Sequence, residues 1–243
     1  MTGGKLVALV VLSLAGFVML AGLGAWQIRR LMWKRALIVR VETRIHAPPV
    51  AVPGPESWSR VTAREYEFRR VLMRGHYLYD RVTWVQAVTR LGAGYWAMTP
   101  FRTAEGYDVL VNRGFVPPAL RYPAGRGGQN DDETTVVGLL RMSEPKGGFL
   151  RANDSRTNRW YSRDVAEIAE ARGLSHYAPY FVDADRLEPA SEGAPIGGLT
   201  VVSFPNDHLQ YALTWFALAS LIPGSAYLVF RHGRQGSSGT PEL

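Results

Sequence analysis

His208 stands immediately before a 22-residue stretch without a charge (residues 209–230), with Tyr211 three and Trp215 seven residues further on. At 3.6 residues per turn those spacings place all three side chains on one face of a helix. A neutral imidazole is a common axial ligand of haem iron, and aromatics stacked along the same face suit a flat, amphiphilic macrocycle gripped from the side. The plainer role is interfacial: an imidazole that caps the helix, with a tyrosine and a tryptophan fixing its depth. Residue chemistry alone favours the plainer role.

Little else in the chain offers chemistry. With no cysteine among 243 residues, disulfides, thiolate metal sites and cysteine nucleophiles are excluded. No G-x-S-x-G turn, H-E-x-x-H zinc pair or Walker sequence occurs, and the clusters Gly92/Gly94 and Gly125/Gly127/Gly128 read as turns rather than a dinucleotide fingerprint. His46, His76 and His176 are expected to face solvent, His232 flanks an apolar stretch, and the histidines are too widely spaced for a local metal site. Asp108 and Asp154 read as ordinary surface carboxylates, and the Asn153-Asp154-Ser155 sequon as chance. The expectation is a protein that is not an enzyme. A membrane-tethered hydrolase would need a nucleophile signature that is missing.

The elements that must position His208 are two apolar segments. Residues 6–28 (LVALVVLSLAGFVMLAGLGAWQI) carry no charge over 23 positions, and residues 209–230 (LQYALTWFALASLIPGSAYLVF) none over 22. At about 1.5 Å per residue each is long enough for a hydrocarbon layer of roughly 30 Å. Trp26 and Trp33 suit an interface at the far end of the first. A cleaved signal peptide is the rival reading there, with Gly22 and Gly24 at plausible spacing, but the stretch is long and Arg29, Arg30, Lys34 and Arg35 follow at once. Pro223 and Gly224 interrupt the second segment, which a membrane helix tolerates when neighbours or waters satisfy the freed carbonyl.

The formal charge of +7 comes mainly from arginine, dispersed among acidic residues in the centre (Arg64, Glu65, Glu67, Arg69, Arg70), so nothing resembles a phosphate-binding stripe and nucleic acid is not an expected partner. Flanking charge gives a mixed vote on orientation. Arg231 and Arg234 against Asp207 put the C-terminus on the cytoplasmic side, whereas the Arg29–Arg35 cluster pulls the other way. The expected layout is a cytoplasmic N-terminus (1–5), a first span (6–28), a stalk helix (29–46) with Trp33, Leu37 and Val41 along its apolar stripe, a β-rich extracytoplasmic domain (47–208), a second span (209–230) and a cytoplasmic tail (231–243). The early first span leaves no room for a mitochondrial transit peptide, which points to a bacterial inner membrane with the lipid bilayer as a partner.

Between the spans, a Pro-rich linker (47–57) precedes expected strands at 66–72, 82–89, 94–103, 106–116 and 134–141, and a last one near 179–183. Residues 94–116 read as a hairpin in which Gly106 supplies a positive φ, and a helix is expected over 162–171, capped by Ser162 or Asp164 and stopped by Gly173. The fold class is thus membrane α plus α+β: two transmembrane helices flanking a mainly antiparallel, barrel-like β domain with one packed helix.

Four stretches, GAWQIRRLMWKRALI (24–38), RGHYLYDR (74–81), GYWAMTPFRTAEGYDVLVNRGFVP (94–117) and PNDHLQYALTWFALA (205–219), resemble the surfeit locus protein 1 family over nearly the whole chain. The resemblance implies a non-enzymatic, chaperone-like factor of the inner membrane, with a periplasmic domain and both termini cytoplasmic, that assists assembly of cytochrome c oxidase. It further implies that haem a is retained during insertion into the oxidase catalytic subunit, with that subunit and the haem a synthesis machinery as partners. His208 matches the family histidine linked to haem a, which makes it the expected axial ligand, bonded to the haem iron only, with Tyr211 and Trp215 beside it. A scaffold that binds oxidase subunits without carrying haem is the alternative. Two positions depart from the family pattern: Asp207 stands where many members have asparagine, beside the proposed ligand, and Phe115 stands where a tryptophan usually follows Arg-Gly.

Overall fold

The β strands outline a core before any site is considered. In a computed structural model describing residues 3–121, 132–145, 151–186, 194–199 and 206–235, the chain divides into two units: residues 1–40 with 203–243, and residues 41–202.

The central unit is built on seven strands: β1 (Val50–Ala51), β2 (Arg70–Tyr77), β3 (Thr83–Thr89), β4 (Gly92–Thr103), β5 (Asp108–Val116), β6 (Thr134–Met142) and β7 (Tyr177–Ala184). The order is β1-β2-β6-β7-β5-β4-β3, and β2 also pairs with β4, so β2, β6, β7, β5 and β4 close into a five-stranded barrel. Within the ring only β5 and β7 run parallel. All five strands contribute to one apolar interior, which includes Val71, Met73, Phe101, Val109, Val111, Val136, Leu140, Tyr180 and Val182. Alternation then sends Leu110 and Phe181 to the opposite face, where Val165, Ile168 and Ala169 of helix α3 (Val165–Ala171) cover them together with Trp160.

Closure of the ring depends on Gly75. It pairs with Thr103 of β4, and a Cβ there would stand 2.0 Å from the carbonyl oxygen of Arg102. Only a residue without a side chain lets the two backbones meet. The β4–β5 hairpin turns as its sequence demands, with Gly106 at φ 89° and its N–H donating to the Thr103 carbonyl at 3.0 Å. Helix α3 starts at Asp164, whose carboxylate accepts from the backbone N–H groups of Ala166 and Glu167, and the chain leaves the helix through Gly173 at φ 66°.

Three local expectations change. The strand expected from residue 66 begins only at Arg70, because 63–66 form a helical turn, α2 (Ala63–Tyr66), and Phe68 takes φ 60°. Alternation there came from a turn whose side chains happen to alternate in polarity. His76, placed before a strand, lies within β2 and is half-buried. Asp108, read as a surface group, is 2% exposed and forms a two-pronged ion pair with Arg102, its cross-strand neighbour. That pairing holds the Arg102 guanidinium above its usual pKa, mainly through the hydrogen bond.

The other unit contains two long helices. Helix α1 (Gly3–His46) is continuous over 44 residues, about 66 Å, and helix α4 (His208–Gln235) over 28. Both are apolar and long enough to span a membrane, and their large apolar side chains stand bare, Leu12 71% and Leu221 64% exposed. Pro223 lies inside α4 without ending it. Along α1 the buried residues are Gly24, Gln27, Leu31 and Val41, while Trp33, expected on that stripe, is exposed beneath the Arg30 guanidinium at 4.3 Å. A cation over the indole face satisfies the ring outside the stripe.

Candidate functional site

Helices α1 and α4 meet at small residues. A Cβ on Gly16 would lie 3.3 Å from Ile222 Cδ1, and one on Gly24 would lie 2.7 Å from the ring of Phe216. As the α1 position rises the α4 position falls, so the helices run antiparallel. On α4 the inward stripe is His208, Ala212, Trp215, Ala219, Ile222 and Ala226, a 3–4 spacing in which Ala212 and Ala219 are buried. Small residues at such a seam let helices approach closely in lipid. Further along the pair, an apolar cleft of about 420 Å³ opens among Leu12, Ser13, Ile222, Ser225, Ala226 and Val229.

The stripe contains one polar pair. His208 Nδ1 lies 2.8 Å from Oε1 of Gln27, which is 9% exposed on α1. Trp215 shares the stripe and is half-buried; Tyr211 stands at its exposed edge, 56% accessible. The backbone N–H of Tyr211 donates to the Asp207 carbonyl, and the Asp207 side chain is exposed. Among the described residues the imidazole therefore takes its partner from the opposite helix rather than from the neighbouring carboxylate. Chemically, the site is an imidazole with one nitrogen engaged and the other without a hydrogen bond among the described residues, with an indole two turns further along the same stripe. Such a group can ligate a transition-metal ion in a planar ligand.

Gln27 was not singled out in the sequence. The signal was present: it is the single amide side chain in 23 uncharged positions, and polar groups inside membrane-length helices are expected to serve binding or packing.

A second feature lies in the central unit. Arg113 of β5 has its guanidinium over the rings of Tyr77 and Tyr79, at 5.2 and 4.7 Å, and its Nη1 is buried with no hydrogen-bond partner among the described residues. Burial pushes the Tyr77 phenol up, against the opposing pull of Arg113. The cavity beside them, about 620 Å³, is also lined by Arg70, Asp185 and Arg186, with Arg70 and Asp185 paired at 2.6 Å. Next to Arg113, Gly114 brings its backbone against Ile196, where a Cβ would meet the carbonyl oxygen at 2.3 Å. Phe115 is buried edge-on to Trp96, ring centres 6.1 Å apart, so an aromatic fills that position without needing an indole.

On the opposite strand faces, Asp183 accepts from Asn112 (2.8 Å), Arg141 (2.9 Å) and Arg163 (3.2 Å), while Arg141 also reaches Glu67 and Arg163 reaches Glu144. This network is satisfied and reads as structural. The other carboxylate noted in the sequence, Asp154, folds back on its own turn and accepts from Arg156 and Thr157, bonds that hold its pKa below the ordinary value.

Comparison with known proteins agrees over both units. The model of the SURF1 family matches residues 14–220. Surfeit locus protein 1 of Mus musculus is 34% identical over 227 residues, covering 86% of this chain and 71% of the mouse protein. The Homo sapiens protein is 32% identical over 236 residues, 90% and 75% of the two chains, and that of Takifugu rubripes 34% identical over 218 residues, 82% and 87%. With that span of matched sequence, which holds the barrel, most of α1 and the first half of α4 with His208, this chain belongs to the SURF1 family.

Proposed function

We propose that this protein is a non-enzymatic assembly factor for cytochrome c oxidase that holds haem a, as cargo, against its two membrane-length helices and passes it to the oxidase catalytic subunit. The observation that carries the reading is His208: its Nδ1 is engaged by Gln27 while Nε2 has no hydrogen-bond partner among the described residues. Family membership supports the oxidase-assembly role. The open nitrogen, the half-buried indole of Trp215 and the exposed phenol of Tyr211 support the cargo. When bound, the haem would contribute an iron that accepts an axial nitrogen. The chain supplies the rest: His208 gives the lone pair, Trp215 and Tyr211 give apolar and aromatic surface, and the helix pair excludes water.

The proposed setting is a bacterial inner membrane, with the barrel unit on the periplasmic side and both ends of the chain in the cytoplasm, where handover from haem a synthesis and to the oxidase subunit takes place. The bare apolar surfaces of α1 and α4 support placement in a bilayer, because so much exposed hydrocarbon is unfavourable in water. Arg231 beyond the second span supports a cytoplasmic C-terminus.

The test is haem content after purification in detergent from cells making haem a. The wild-type chain is expected to carry haem a, His208→Ala to lose most of it, and His176→Ala, altered at an exposed position in the barrel unit, to keep it. A wild-type preparation without haem that still captures oxidase subunits would favour the scaffold role instead.

A further inference from the structure

A histidine has two chemically distinct nitrogens, and what one of them bonds decides what the other can do. At His208 the deciding contact comes from the other helix, 181 positions away in sequence: Gln27 Oε1 at 2.8 Å from Nδ1. An amide oxygen only accepts, so Nδ1 carries the proton and donates, and Nε2 keeps its lone pair. Gln27 is 9% exposed and sits on the same α1 stripe as Gly24, against which the Phe216 ring packs, so the amide lies within the seam of the two helices rather than on their open surface. In apolar surroundings such a bond is costly to leave unmade, which fixes the ring's plane as well as its tautomer.

We infer that Gln27 is the positioning residue of the His208 site: its amide oxygen locks the imidazole in the Nδ1–H form and aims Nε2 at the metal of a planar ligand. The part concerning the metal rests on the haem reading above; the part concerning the tautomer does not. The bond crosses from α1 to α4, so the imidazole is held in its ligating orientation only while the helices are paired. Parting them removes the acceptor and releases the ring, which gives the pair a way to hold a ligand and to let it go.

The experiment uses the full chain in detergent, free of haem and labelled with ¹⁵N-histidine, at a pH where the ring is neutral. His208 signals are assigned by their loss in His208→Ala. Wild type is expected to show a protonated Nδ1 and a bare Nε2. Gln27→Leu is expected to shift the ring towards the Nε2–H form, and Gln27→Glu, which keeps an acceptor oxygen, to restore the wild-type pattern. With haem added, Gln27→Leu should bind it roughly 10–100-fold more weakly, as other losses of a histidine's outer partner do, and Gln27→Glu should recover most of that. An Nε2–H ring in wild type would overturn the inference, since the amide would then be donating. So would a Gln27→Leu chain with wild-type tautomer and haem affinity, even if His208→Ala loses haem. The converse result, the expected tautomer in a protein that never takes up haem, would leave Gln27 as the residue that sets the ring and remove the haem reading instead.

Discussion

Asp183 shows how much one carboxylate can hold in this fold. It is 4% exposed and stands between Arg141 and Arg163, which are themselves largely covered, with Asn112 as a further donor. Removing it would leave two cations in poor contact with water and with only Glu67 and Glu144 as counter-charges. Breaking a buried pair from one side in this way typically costs 3–5 kcal/mol, far more than the same pair contributes relative to an apolar replacement. Asp183→Ala is therefore expected to lower the unfolding free energy of the full chain in detergent by about 3–5 kcal/mol, measured by denaturant titration; a change below about 1 kcal/mol would show that water or Glu67 and Glu144 take over the pairing. His208 and Gln27 obey the same rule in reverse. There the polar pair is small and neutral, and one lone pair is left open, which suits binding rather than stability.

Among the elements, the barrel is closed by the β2–β4 pairing as much as by its hairpins. Gly75→Ala would drive a methyl group into the Arg102 carbonyl at 2.0 Å, against backbone that cannot step aside. The expected result is a loss on the order of 3 kcal/mol or more together with opening of that edge, read as faster amide exchange at His76 and Tyr77; unchanged exchange would mean that the ring does not depend on this approach. The hairpin, the Asp164 cap and the Gly173 stop were all legible in the sequence, because each rests on a local rule of backbone geometry. A barrel-like form was expected as well, but not the pairing that closes it, since β2 reaches β4 across intervening chain and nothing in the pattern of residues 70–77 names its second neighbour. The same distinction separates the two halves of the site. His208, Tyr211 and Trp215 follow from spacing along one helix, whereas Gln27 enters through the register of two helices, and the exposed position of Tyr211 is set by that register too.

For the molecule as a whole, two units share the work. The barrel has an apolar interior and ion pairs such as Arg70–Asp185 outside it, and the helix pair is the reverse, with bare apolar side chains outside and the His208–Gln27 contact within. Composition averages these into an unremarkable 47% apolar chain, which is why the division had to be read from where the charges stop. A cargo role places the decisive chemistry in the smaller, helical unit, and it can be tested there without removing any other part. His208→Gly leaves a space the size of an imidazole ring. Purified from cells making haem a, that variant is expected to carry little haem alone and to regain a wild-type absorption spectrum when imidazole is supplied. A His208→Gly protein with full haem content and an unaltered spectrum in the absence of imidazole would contradict the account.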